Sequence, residues 1–328
     1  MSRSPLEEAL FVDRAARDPD APVTPFVALQ RVVVRMLFDP VFVKEVYEGP
    51  ERALAGLYLD ETLVKQLLQN DRRLWNADRL RRSRSLKILM EELKVSATLV
   101  LAECRSLSFL DEFFASPFFH EAVQKRKYMA LAFVRYLEEA IHRGRLKSRH
   151  TAAALGLEAA MARSRRALRD ARRGHDAALA RLAPGRPGKR LVAEAGVTAH
   201  FAPWGVIGLV QHVEKYLFEV SQVPALALCD DAPRPDPLPA IDEAVRQPFL
   251  LEPEAGGRVE LSEVEAKFAH VVAACARPVD SKELGAALRP RGYDERKAWE
   301  LAESLHEAGV LREVRVAPDG TVEAVPLG

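Results

Sequence analysis

Residues 248–310 read PFLLEPEAGGRVELSEVEAKFAHVVAACARPVDSKELGAALRPRGYDERKAWELAESLHEAGV. Two apolar runs flank Gly256 and Gly257, a pattern that predicts a β-hairpin. Ser262 then stands three residues before Glu265, which predicts a capping box opening a helix over SEVEAKFAHVVAACA. Val264, Phe268, Val271 and Val272 share the inner face of that helix, and Pro278 ends it. A short helix, SKELGAALR, stops near Pro290 and Gly292, and a longer one runs from Asp294 to Gly309. The terminal stretch VLREVRVAPDGTVEAVPL alternates on both sides of Pro318, Asp319 and Gly320, a second hairpin. Hairpin, three helices and wing predict a winged-helix module over about residues 248–328.

Upstream, RLVAEAGVTAHFAP alternates like one or two short strands, GVIGLVQHVEKYLFEV has helical period, and ALALCDDAPRPDPLPAID is a proline-rich loop. The segment LAPGRPGKR, residues 182–190, concentrates proline, glycine and charge and is the strongest linker signal in the chain. The sequence therefore predicts a flexible arm at 1–24, a helical domain at 25–182, a linker at 183–190 and an α+β domain at 191–328. The expected fold class is α+β, an all-helical N-terminal domain followed by an α+β domain with the winged-helix module.

Within the N-terminal part, FVALQRVVVRMLFD places Phe26, Leu29, Val33, Met36 and Leu37 on one helical face, closed by Asp39 and Pro40. A shorter helix spans Val41 to Tyr47, a third starts at Glu51, and Asp60 is positioned to cap ETLVKQLLQ. Residues 71–103 have helical period, with Leu86, Leu89, Met90 and Leu93 inward and Arg79, Arg81, Arg82 and Arg84 outward. Phe109, Phe113, Phe114, Phe118, Phe119, Tyr128, Phe133 and Tyr136 crowd a chain whose aromatic content is 7%. Aromatics at helical spacing read as core rather than as a ligand cavity. An alanine-rich helix covers Thr151 to Leu182.

Composition limits the function. The 328 residues are 48% hydrophobic and 29% charged with a formal net charge of +1, a soluble globular balance with no global field toward nucleic acid. Neither a signal-peptide core nor a run of eighteen apolar residues is present, so a cytoplasmic protein is expected, with no membrane partner. Cys104, Cys229 and Cys275 lack metal or disulfide spacing. Fourteen lysines and arginines lie between Arg143 and Arg190 against three acidic residues, readable as a phosphate-facing stripe or as a solvated helix face. The eight histidines form no HxxxH or HExxH pair; Glu112, His120, Glu121, Glu138, Glu139 and His142 cluster in sequence, with a surface ion pair the default between Glu138 and His142. No nucleotide loop or nucleophile elbow occurs. No catalytic residue and no metal site is therefore assigned.

A recognition helix for DNA should be basic, yet the third helix carries Asp294, Glu295, Glu300, Glu303 and Glu307, so nucleic acid is an unfavourable partner. A groove between a sheet edge and that helix could instead accept an extended peptide.

The run from Phe249 to Leu311 resembles the precursor-peptide-recognition elements of ribosomal natural-product (RiPP) biosynthesis, including the small chaperone of pyrroloquinoline quinone assembly. That resemblance covers about a fifth of the chain. FDPVFVKEVYEGPERALAGLYLDETLVKQLL and SPFFHEAVQKRKYMALAFVRYLEEAI resemble the companion subunits of multinuclear non-heme iron-dependent oxidative enzymes. Both resemblances rest on apolar spacing and turns. They imply that iron and oxygen chemistry reside in a separate barrel enzyme, so that this chain needs no cofactor. The chain would form a heterodimer with that enzyme and present it with the precursor (leader) peptide. They further imply a leader held between the strand Gly257, Arg258, Val259, Glu260 and Leu261 and the helix positions Lys297, Leu301, Ser304 and Leu305. This requires the strand to be an open edge, uncovered by chain near Leu191 or Val197. The alternative is a winged-helix transcriptional regulator with a helical sensor domain and Arg163 to Arg173 facing DNA.

Overall fold

The computed structural model describes residues 24–57, 59–76, 78, 80–173, 188–220, 235–316 and 322–324. The expectations for the arm before Thr24, for Arg79, for 174–187, for Cys229 and most of the proline-rich loop, and for the turn at Pro318 to Gly320 lie outside these residues. The chain is α+β, mostly helical, with small antiparallel sheets. Among the described residues no helix is long and apolar enough to cross a membrane.

Two compact units emerge, and neither is one continuous stretch: residues 1–91 with 106–143, and residues 92–105 with 144–328. This differs from the division at 183–190. Proline and glycine mark where regular structure stops, not where packing stops, and residues 188–190 already belong to a strand.

The described part of the first unit is helical. Its helices are α1 (Pro25–Phe38), α2 (Pro40–Glu48), α3 (Pro50–Ala53), α4 (Glu61–Gln69), α5 (Arg81–Glu92, whose last residue falls in the second unit), α7 (Leu107–Asp111), α8 (Pro117–Gln124) and α9 (Met129–His142). Local chemistry explains the boundaries. Proline occupies the first turn of α1, α2, α3 and α8, where its missing N–H costs no hydrogen bond. Asp39 ends α1 and caps α2, its Oδ1 accepting from the Phe42 N–H at 3.0 Å, and Asp60 caps α4 at 2.8 Å. Phe113, Phe114, Phe119 and Phe133 are wholly buried and stack edge-on or tilted at centroid distances of 5.0–5.6 Å, the core that the sequence predicts. Phe26 departs from its predicted place. It is 71% exposed, because the buried stripe of α1 runs through Ala28, Val32 and Met36. The helical stretch 71–103 is broken before Arg81 and again at Leu93, and Arg82 turns from its predicted outward face to bind Asp111.

In the second unit α6 (Lys94–Cys104) buries seven consecutive residues, Val95 to Leu101, as a helix enclosed on all sides must. It packs on α10 (Arg149–Arg172). Strands β2 (Thr198–Trp204), β3 (Asp242–Pro253) and β4 (Val259–Glu263) form an antiparallel sheet in that order, and α11 (Val206–Glu219) joins β2 to β3. Alternation along β3 sorts the faces. Phe249 and Leu251 point toward α10 and α11, and Leu250 points toward the helices α12 (Ala266–Ala274), α13 (Ser281–Leu288) and α14 (Glu295–Glu307). A second sheet, ordered β1 (Gly188–Ala193), β5 (Leu311–Val316) and β6 (Val322–Ala324), shares a core with those three helices through Leu191, Ala193 and Leu311.

The hairpin of β3 and β4, the three helices and the β5–β6 pair follow the predicted order. The cap at Ser262 does not form. Ser262 is a ladder partner of Leu250, Glu265 is extended, and α12 starts at Ala266, because pairing with β3 extends the strand past the local helix signal. The capping box occurs one helix later, between Asp280 and Glu283.

Candidate peptide-binding edge

The β3–β4 ladder fixes the direction of every main-chain group on β4. At one end the Glu254 N–H donates to the Arg258 carbonyl at 2.8 Å, and at the other the Val264 N–H donates to the Pro248 carbonyl at 3.1 Å. Antiparallel pairing alternates by two, so Arg258, Glu260, Ser262 and Val264 turn their amides and carbonyls toward β3. Val259, Leu261 and Glu263 turn theirs outward. Among the described residues these outward groups have no hydrogen-bond partner, and β4 pairs with β3 alone. Leu191 pairs with Glu313 in the other sheet, and the Val197 N–H is taken by the Glu194 carbonyl, so neither covers β4. Among the described residues the strand is an open edge about five residues long.

Side chains follow the same alternation. Val259 is buried against Ala160 and Leu251, and Leu261 is half-buried beside Met161, so α10 backs one side of the edge. Glu260 and Glu263 are exposed. Glu252, Glu254 and Glu265 add to them, while Arg258 is the basic residue between Glu252 and Glu265, giving the hairpin an acidic margin. Gly257 forms the turn with φ +86°, a conformation that disfavours any side chain.

The helix positions are placed differently. Lys297, whose N–H is capped by Asp294, and Ser304 are exposed; Leu301 is half-buried; Leu305 lies in the core shared with Val271, Leu284 and Leu311. Helix α14 packs on α12, α13 and β5, and β4 packs on β3 and α10. The strand and helix positions therefore belong to different packed groups, and Val259 and Leu305 are core residues rather than groove walls. Sequence order alone gives no way to see that β4 and β5 enter separate sheets.

Two further arrangements were missed by sequence reasoning. In the second unit Glu158 is buried and accepts from the N–H of Val95 at 2.9 Å and of Ser96 at 2.8 Å, and from the Ser96 hydroxyl. Burial pushes its carboxyl up to about 7, against the opposing pull of these donors and of Arg165. In the first unit His120 Nε2 lies 3.5 Å from Asp39 rather than beside the glutamates near it in sequence. Neither contact carries a local sequence signal, because each joins residues far apart in the chain.

The arginines of α10 are largely engaged within the chain. Arg165 pairs with Glu92 at 3.4 Å, Arg166 with Asp170, and Arg172 reaches the Ala255 carbonyl. Cys275 is buried, its thiol pushed up to about 12 by desolvation.

No protein family, curated protein or solved structure was found to match the chain.

Proposed function

We propose that this chain binds an extended segment of a ribosomally made precursor peptide along β4 and presents it to a separate iron-dependent oxidative enzyme, with which it forms a heterodimer. The observation that carries this reading is the outward row of main-chain groups at Val259, Leu261 and Glu263, unpaired among the described residues. A peptide laid alongside gains main-chain hydrogen bonds there, and its side chains alternate between the two faces of the extended sheet. The acidic margin favours a peptide carrying lysine or arginine. The winged-helix assignment belongs to the same proposal: α12, α13 and α14 supply its helices, and β1, β5 and β6 its sheet and wing. The companion role rests on the family resemblance. DNA binding is the weaker reading, since α14 is acidic and Arg165 and Arg166 are paired internally.

The test combines a barrel oxygenase and a short precursor peptide encoded beside this chain with a Glu263→Pro variant. Proline at 263 removes one outward donor and no ladder bond. Peptide affinity should fall at least about tenfold, the loss expected for an edge hydrogen bond together with the altered strand end. Exchange of the Leu261 amide should slow on peptide addition to the parent protein. An unaltered affinity in the folded variant would remove β4 as the site. Failure of the two proteins to copurify would remove the companion role.

A further inference from the structure

We infer that the first unit contains a binding cavity for a small monocarboxylate with an apolar body. The cavity measures about 140 Å3 and lies between α1, α8 and the turn following α3. A dry apolar cavity of about 150 Å3 accepts a guest of benzene size, which sets the scale of the ligand.

The chemistry of the walls sets its class. Arg31 and Arg35 stand one helical turn apart on α1, and His120 enters from α8. Among the described residues a single carboxylate, Asp39, faces these three groups, with one oxygen already committed to the Phe42 N–H. Arg35 Nε is 3.5 Å from Asp39 Oδ2, and the same guanidinium lies over the Phe42 ring at 3.7 Å. His120 Nε2 also stands 3.5 Å from Asp39, shielded from solvent and without a hydrogen-bond partner. Arg31 is the least compensated: its Nε is shielded and unpartnered, and it has no carboxylate partner among the described residues. Desolvation and the nearby Arg126 both depress its basicity, and the attraction of a bound anion would offset them.

Ala28, Val32, Gly56, Leu57, Val123 and Gln124 form the remaining walls, which are apolar except at Gln124. Such walls penalise a strongly hydrated, multiply charged ion, because its water shell would be lost without replacement. A single carboxylate satisfies the guanidinium bidentately while its apolar portion fills the rest. The inference is independent of peptide docking at β4, since every residue named belongs to the first unit.

Titration calorimetry on the full chain with benzoate, benzyl alcohol and inorganic phosphate at fixed ionic strength tests it. Benzoate should bind saturably at one site, and at least about tenfold more tightly than either of the others. Arg31→Met keeps apolar volume and should weaken benzoate by about tenfold or more, with Arg31→Lys intermediate. Arg31 is chosen over Arg35, whose loss would also disturb Asp39 and Phe42, and circular dichroism checks that each variant is folded. Should Arg31→Met fail to fold, the parent protein's ranking of benzoate over benzyl alcohol and phosphate decides the matter. Absence of saturable benzoate binding, equal binding of benzyl alcohol or phosphate, or undiminished affinity in a folded Arg31→Met variant overturns the inference.

Discussion

The Glu158 carboxylate of α10 accepts the Ser96 N–H at 2.8 Å and so caps α6 from another helix. Leu93, at the N-cap position, offers no side-chain acceptor, and the first-turn amides of α6 would otherwise be buried unpaired. A tertiary contact here supplies what Ser, Thr, Asn or Asp usually supplies locally.

The stability of the second unit should therefore depend on pH. The folded state holds the Glu158 proton up to about pH 7, against an ordinary value of 4.5. Between those values the folded state binds more protons than the unfolded one, so this group's contribution is full below pH 4.5, declines as pH rises and is lost above 7. The span is on the order of 1–3 kcal/mol. Glu158→Gln should flatten the difference between urea midpoints measured at pH 5 and pH 8; an unchanged difference would refute the assignment.

Gly196 has φ +86°, and an added Cβ would sit 2.6 Å from Pro253 Cγ and 2.8 Å from the Ser164 carbonyl. Neither neighbour is the free end of a flexible chain, and Ser164 Oγ donates to the Gly196 carbonyl at 2.7 Å. Gly196→Ala should cost about 2–4 kcal/mol in chemical denaturation.

Leu305 and Ser304 are adjacent on α14 but differ in burial. Leu305→Asp should unfold or destabilise the unit by more than about 3 kcal/mol, whereas Ser304→Asp should stay within about 0.5 kcal/mol. Thermal melts of the two variants distinguish a core position from a surface one.

Arg190 of β1 is almost buried, lying 2.9 Å from Glu283 and 3.9 Å from Asp280, the two residues that cap α13. Arg190→Met should lower stability by roughly 2 kcal/mol, less than for a sealed ion pair because Glu283 keeps solvent access and its bond to the Asp280 N–H. Double substitution of Arg190 and Glu283 by Met and Gln should restore part of the loss in the same melts.

What could be read from sequence was what neighbouring residues decide. Asp60, Asp294 and Gly309 stand at helix ends, and the β3–β4 hairpin is announced by Gly256 and Gly257. Ser262 shows the limit: its local helix signal lost to a ladder with Leu250. The cap given by Glu158 joins residues 62 positions apart, and β1 and β2, close in sequence, enter different sheets. Arg31, Arg35 and His120 likewise meet only after α1 and α8 fold together. The candidate edge was placed correctly as a hairpin strand, but its assumed partner α14 packs with another group of elements.

The interleaved division of the chain bears on how the protein can be cut. Expressing residues 191–328 alone would discard both α6 and α10, removing the α10 cover from Leu251, Val259 and Leu261 and part of the core around Phe249. A graft of the β4 edge into another scaffold must therefore carry residues 92–105 as a second insert, since the backing helix α10 is itself seated on α6.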